Sequence, residues 1–125
     1  LRTSDIITIH LKLSSRTQQL IGAKEFAMMK KTAVLVNTSR GPIVDEAALI
    51  EALTSGRIAK AGLDVYDQEP LPANHPLRAV PNTVLTPHTG FTVEEGLRKY
   101  YTDAIGLIAD WRAGKPRNVY HGVRD

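Results

Sequence analysis

The 125-residue sequence contains no cysteine, no long uninterrupted apolar run and no visible targeting segment. Without cysteine, disulfides and thiolate chemistry are excluded from these residues, which is compatible with a cytoplasmic enzyme. A membrane-spanning helix needs an apolar run of about twenty residues, and the sequence has none. The 42% hydrophobic content is typical of a single globular domain. We therefore expect a soluble, cytoplasmic chain that does not bind a membrane.

The sequence also lacks a dense basic run, although its net charge is +3 and its pI is about 9.3. The basic residues near its end are scattered and are not interleaved with aromatic side chains: Arg112, Lys115, Arg117 and Arg124. A mild positive charge affects solubility and association rates rather than fold. We interpret it as solvated surface and expect no nucleic-acid partner.

The histidines are not spaced as metal ligands. His10, His75 and His121 fall on separate predicted elements, with neither helical i, i+4 spacing nor cysteine or paired carboxylate neighbours. We expect structural or surface roles for them and no metal site. A Gly-x-Ser-x-Gly elbow for covalent catalysis is also missing.

Short β-branched runs alternate with helical patterns along the chain. The predicted strands are residues 6–10, 33–36, 58–65 and 83–86. The first two runs are apolar on both faces, which predicts strands covered on each side of a sheet. The connections are short enough for right-handed crossovers, so the pattern predicts an α/β fold with one parallel sheet.

Three helices are predicted between and after these strands. The first covers residues 23–30. The second begins after Asp45, a typical N-cap residue, and ends before Gly56, which suits a left-handed C-terminal position. The third opens with Thr92 and Glu95, which have the spacing of a capping box, and extends to Gly114.

Three polar residues follow strand-like runs: Arg40, Glu69 and His88. The carboxyl ends of parallel strands face one crevice, so these side chains can meet although 29 and 19 positions separate them. Taken singly, each has a structural alternative. Arg40 could satisfy loop carbonyls, Glu69 could be a solvated turn acid, and His88 could be an ordinary loop histidine.

A series of motifs in one order carries a family resemblance: Ser4-Asp5-Ile6-Ile7, Val36-Asn37-Thr38-Ser39-Arg40-Gly41, Asp45-Glu46-Ala47-Ala48-Leu49, Leu63-Asp64-Val65, Glu69-Pro70 and Thr86-Pro87-His88. In order and spacing, the chain resembles the C-terminal half of the NAD-binding domain of D-isomer-specific 2-hydroxyacid dehydrogenases. The resemblance implies the second half of a Rossmann-type parallel sheet over residues 1–91. It also implies a long helix over 92–114, returning to an absent substrate domain, and a tail over 115–125.

The resemblance implies a reaction as well: NAD(P)-dependent interconversion of a D-2-hydroxy acid and its 2-oxo acid. Arg40 would anchor the substrate carboxylate, a role that suits its bidentate fork. His88 would be the general acid/base. Glu69 would accept the other ring N–H of His88, fixing its tautomer and favouring the protonated imidazole.

Cofactor contacts follow from the same resemblance and comprise Leu11, Thr38, Ser39, Arg40, Asp64, His88 and Gly90. The expected cofactor is NAD, the family default, with NADP left open. Asp64 would stabilise the cationic oxidised nicotinamide. Its structural alternative is a strand-end residue that caps the following turn.

The sequence has no Gly-x-Gly-x-x-Gly turn for a pyrophosphate, so we expect a fragment that is inactive in isolation. The resemblance implies that the parent is a larger, two-domain enzyme and a homodimer. Lys12 and Phe91 depart from the family pattern and leave the particular 2-hydroxy acid open. One alternative function remains at this level: a corepressor-type module that senses dinucleotide on the same fold.

Overall fold

The structure is a computed structural model, and it describes residues 1–120. These residues form two compact units, residues 1–90 and a second unit that begins at Phe91. His121, Arg124 and the end of the predicted tail lie outside the described residues.

The first unit contains a four-stranded parallel sheet, as the sequence predicted, and its strand order is β1-β2-β3-β4. The strands are β1 (Ile6–Ile9), β2 (Val34–Asn37), β3 (Lys60–Leu63) and β4 (Thr83–Leu85). Their last residues are paired in one register row, Ile9 with Asn37, Asn37 with Leu63, and Leu63 with Leu85. The residues that follow each strand therefore emerge along one edge of the sheet.

The hydrophobic core lies on one face of this sheet, beneath two helices, α1 (Ala23–Met28) and α2 (Glu46–Thr54). Phe26 from α1 and Leu35 from β2 are at most 1% exposed. On the opposite face, Ile6 is 66% and Val84 69% exposed. The prediction that the first two strands are covered on both faces was wrong, because the core of this unit covers one face: Ile6 of β1 is exposed, and Val34 and Val36 of β2 are only half-buried.

The ends of the helices follow local chemistry. Asp45 caps α2 by accepting the Ala48 N–H at 3.0 Å, and Gly56 has φ +68°, so both predictions are confirmed. The first helix is shorter than predicted, because Met29 already has extended backbone. Arg57 donates to the carbonyls of Ala27 and Met29 and satisfies that helix end.

The second unit is dominated by one helix, α3 (Glu94–Arg112). Val93 occupies the N-cap position, one residue after the Thr92 that the predicted capping box needs there, so the prediction placed the start of the helix one residue too early. None of the helix's residues is buried, and large apolar side chains such as Ile105 and Trp111 are exposed.

Two further searches concern function classes. Among residues 1–120, no helix is long and apolar enough to cross a bilayer. In the same part of the chain, no group of three or more His, Cys, Asp or Glu side chains could hold a metal ion. His75 instead lies 3.0 Å from Glu46, joining the start of the 3₁₀ turn Pro76–Ala79 to the start of α2.

Candidate active site

The loop after β2 carries Arg40 and is fixed by its own polar groups. Asn37 is 1% exposed, its side-chain amide donates to the Arg40 carbonyl at 3.0 Å, and its oxygen accepts the Ser39 N–H at 3.1 Å. The Ser39 hydroxyl donates to the Ile9 carbonyl at 2.9 Å. This Asx-type turn ties the loop to the ends of both strands and sets the direction of Arg40.

Close packing brings the Arg40 loop beside the loop that carries Glu69. A Cβ at Gly41 would lie 2.0 Å from the carbonyl carbon of Tyr66, so only glycine allows the two backbones to approach this closely. The Arg40 guanidinium donates to the Ser39 carbonyl at 2.7 Å and is otherwise exposed. Its charge is close enough to Glu69 to lower the pKa of that carboxyl.

Glu69 and His88 are in direct contact. Glu69 Oε2 lies 2.6 Å from His88 Nδ1, and Glu69 Oε1 accepts the Tyr66 N–H at 3.0 Å. Both side chains are about one-third exposed, His88 36% and Glu69 34%. The pair is therefore held from within the protein while remaining accessible to a small molecule.

The charge state of Glu69 follows from these contacts. Burial by itself raises the pKa of Glu69, but the hydrogen bonds from His88 and from the Tyr66 N–H lower it, as do the charges of His88 and Arg40. The net pKa lies below its ordinary value. Glu69 is therefore an anion at neutral pH and accepts a hydrogen bond from a protonated Nδ1 of His88.

His88 has φ +56°, an uncommon conformation for a residue other than glycine. The Tyr66 hydroxyl is within hydrogen-bond distance of the Leu63 carbonyl, at 3.0 Å, and of the Thr86 carbonyl, at 2.9 Å. Tyr66 thus spans the ends of β3 and β4 just before His88. The positive φ of His88 is a strained backbone conformation, and such conformations are concentrated at functional sites.

Asp64 follows β3 and is 5% exposed. Its Oδ1 accepts the Thr86 hydroxyl at 2.5 Å and the Thr89 N–H at 2.9 Å, and its Oδ2 accepts the Gly90 N–H at 2.8 Å. Burial by itself raises the pKa of Asp64, but these hydrogen bonds and the charge of His88 bring it below its ordinary value. The carboxylate is ionised at neutral pH.

A cavity of about 540 Å³ adjoins the paired side chains. Its lining includes Glu69, Arg78, Leu85, Thr86 and His88, whereas Arg40 does not contribute to it. The structure therefore brings Glu69 and His88 together at a cavity and places Arg40 near Glu69 but outside that lining.

The remaining predicted cofactor residues lie along the same edge of the sheet. Leu11 follows β1 and is 46% exposed, Thr38 follows β2 and is exposed, and Ser39 is half-buried. The N–H of Gly90 is directed to Asp64. The exposed side chains after β1 and β2 lie at the same edge of the sheet as the His88 loop after β4, and this arrangement suits a ligand that lies across the strand ends.

Several supporting residues were missed at the sequence level: Asn37, Gly41, Tyr66 and Thr86. Asn37 and Gly41 left a usable signal, because an Asn at a strand end and a Gly next to a polar loop residue are typical of tight turns. Tyr66 and Thr86 left none, since their contacts join positions 20 and 22 residues apart.

Comparison with known proteins decides the family. Residues 1–90 match the domain described as D-isomer specific 2-hydroxyacid dehydrogenase, NAD binding domain. The chain belongs to the D-isomer-specific 2-hydroxyacid dehydrogenase family. The resemblance inferred from the motifs is thereby confirmed.

Named relatives illustrate the family. The chain is 51% identical over 120 residues to a glyoxylate reductase of Aeropyrum pernix. The aligned region covers 95% of this chain and 36% of the reductase. Among solved structures, D-lactate dehydrogenase with NAD+ from Lactobacillus jensenii is 35% identical with a TM-score of 0.85, covering 99% of this chain and 41% of that one. A family member from Xanthobacter autotrophicus Py2 in complex with NADPH is 40% identical with a TM-score of 0.75, over 94% and 48%. The chain spans less than half the length of each.

Proposed function

We propose that this chain carries the acid/base pair and the substrate anchor of an NAD(P)-dependent dehydrogenase that interconverts a D-2-hydroxy acid and its 2-oxo acid. The observation that carries the proposal is the 2.6 Å contact between His88 Nδ1 and Glu69 Oε2 at the edge of a cavity. Membership of the dehydrogenase family supports it. A histidine oriented by an anionic partner is the usual means of moving a proton near neutral pH.

In the direction of reduction, His88 donates the proton on Nε2 to the oxygen on C2 of the 2-oxo acid. Glu69 holds the opposite ring nitrogen and stabilises the imidazolium before transfer. In the direction of oxidation, neutral His88 accepts the hydroxyl proton. NAD(P), when bound, supplies or receives the hydride at C2.

Arg40 is proposed to bind the substrate carboxylate through its guanidinium fork, which orients C2 as well as binding the acid. The support is its exposure, its fixed backbone and its proximity to Glu69. Its present bond to the Ser39 carbonyl uses one of five N–H donors, so the rest are available to a ligand.

The residues along the strand ends fit a nicotinamide cofactor. Leu11 offers an exposed apolar side chain after β1, and Thr38 offers an exposed hydroxyl after β2, followed by Ser39, whose hydroxyl donates to the Ile9 carbonyl at 2.9 Å. The hydrogen bonds from Thr86, Thr89 and Gly90 use three of about four acceptor positions on the Asp64 carboxylate, which leaves one for an amide N–H. We propose these residues, with Gly90 and His88, as the nicotinamide half of the cofactor site.

The names of relatives suggest the scale of the substrate. Glyoxylate and D-lactate, which appear in those names, are small acids, and we propose a small 2-oxo acid here too. We further propose that the intact enzyme is a cytoplasmic homodimer. We also propose that these 125 residues alone lack activity, because they span about a third of the length of the glyoxylate reductase.

The test is His88→Ala in the intact protein, assayed by NADH oxidation with a panel of small 2-oxo acids. We expect a loss of about 10² to 10⁴ in kcat, with little change in NADH affinity. His75→Gln is the matched control, because His75 also pairs with a glutamate but lies outside the site. Near-normal turnover of the His88 variant, or NADH binding without turnover by the unmodified protein, would contradict the proposal.

A further inference from the structure

We propose that Asp64 is a positioning residue for His88: its carboxylate holds both ends of the 86–90 loop, so that the imidazole meets Glu69. This inference rests on the proposed function, in which His88 moves the proton. It assigns to Asp64 a role in turnover that is separate from any contact with the cofactor.

The residues that donate hydrogen bonds to Asp64 lie on both sides of His88 in the sequence. Asp64 accepts the Thr86 hydroxyl at 2.5 Å on one side of His88 and the N–H groups of Thr89 and Gly90, at 2.9 and 2.8 Å, on the other. The Thr86 N–H also donates to the Leu63 carbonyl at 3.0 Å, which extends the pairing of β3 and β4 to this point. The Thr86 backbone is therefore tied to β3, and the Asp64 N–H donates to the Asn37 carbonyl of β2 at 3.0 Å, so both partners of the Thr86–Asp64 bond are anchored to the sheet.

The loop needs such a constraint because of its backbone. His88 has φ +56°, and a non-glycine residue keeps this conformation only where its surroundings over-determine it. Three hydrogen bonds from residues on either side of His88 to one buried carboxylate hold the loop in this conformation. If they are lost, the imidazole is free to move from the 2.6 Å contact with Glu69.

The chemistry of the contact requires an anion. All three partners donate a hydrogen, and an ionised carboxylate is an acceptor at every position. In Asp64→Asn, an NH₂ group would face at least one N–H or O–H donor, which leaves a buried donor without an acceptor. Gly90 has little room for adjustment, since a Cβ there would lie 2.9 Å from Asp64 Oδ2.

The decisive variant is Thr86→Val, which removes one hydroxyl donor and leaves the Asp64 carboxylate in place. In the intact protein we expect kcat to fall about 10- to 100-fold, since a misplacement of roughly 1 Å costs this much. The NADH dissociation constant should stay within about twofold, because this variant keeps the carboxylate. Thr86→Ser, which restores the hydroxyl, should recover most of kcat.

A matched control is Thr83→Val, at the start of β4, the strand that Thr86 follows. The Thr83 hydroxyl donates to the Val80 carbonyl at 2.9 Å, away from the site, so this variant should keep kcat within about twofold of the unmodified protein. A general effect of losing a threonine hydroxyl in or next to β4 would appear in both valine variants and would overturn the proposal.

Amide hydrogen exchange provides a readout that does not need turnover. In Asp64→Asn, the amides of Thr89 and Gly90 should exchange at least about tenfold faster, while amides of β1 and β2 keep their protection. Unchanged exchange in the loop, or unchanged kcat in Thr86→Val, would overturn the role of Asp64. Full activity of His88→Ala would instead refute the proposed function, so the two failures are distinguishable.

Discussion

Replacing Glu69 with glutamine keeps the length of the side chain but removes the charge that faces His88. The 2.6 Å contact is a hydrogen bond to the charged Glu69 carboxylate, a class of bond that contributes about 1.5 to 3 kcal/mol. Because both side chains are about one-third exposed, solvent screening places the effect at the lower end of that range. A loss of about 1.4 kcal/mol corresponds to a tenfold change in rate.

The assay is steady-state NADH oxidation by the intact protein with glyoxylate as the probe acid. We expect Glu69→Gln to lower kcat/KM about tenfold. Glu46→Gln is the matched control, because Glu46 contacts His75 at 3.0 Å, outside the candidate site. The reasoning is refuted if Glu69→Gln retains kcat/KM within about twofold of the unmodified protein, or if Glu46→Gln loses as much.

Two further predictions concern stability and are measured by urea unfolding. Gly41→Ala places a Cβ 2.0 Å from the Tyr66 carbonyl carbon, so we expect a loss of about 1 to 3 kcal/mol, and an unchanged unfolding midpoint would contradict the packing. The pKa values of Asp64 and Glu69 are lower in the folded protein than their ordinary values. The two ionised carboxylates therefore stabilise the fold fully when the pH is above their ordinary pKa values, and this stabilisation is lost as the pH falls through their pKa values in the folded protein. The difference in stability between the unmodified protein and Asp64→Asn should therefore be smaller at about pH 3 than at pH 7, and an equal difference at both would argue against an ionised Asp64.

The order of strands and helices was predictable because each depends on local pattern. Asp45 and Gly56 mark the ends of α2 by the conformations that their residue types favour, and both occur where expected. Burial of β1 was not predictable in the same way. Ile6 is apolar, but its exposure depends on which face of the sheet the helices cover. Which face is covered depends on packing between residues that are far apart in the sequence, and the local sequence pattern does not indicate it.

The candidate site was likewise predictable only in part. Residues 40, 69 and 88 were singled out because polar groups follow strand-like runs, and the aligned strand ends explain why two of them meet. The sequence did not indicate how the contact is held. Tyr66 and Asp64 act through bonds to the loop after β4, and such long-range contacts leave no local signature.

The most direct test of the central claim is a crystal structure of the intact protein with NAD+ and a non-reactive 2-oxo acid analogue. We predict that the guanidinium of Arg40 binds the analogue's carboxylate and that Nε2 of His88 lies about 3 Å from the oxygen on C2, with Glu69 still on Nδ1. An analogue bound elsewhere, with neither Arg40 nor His88 in contact with it, would contradict the account.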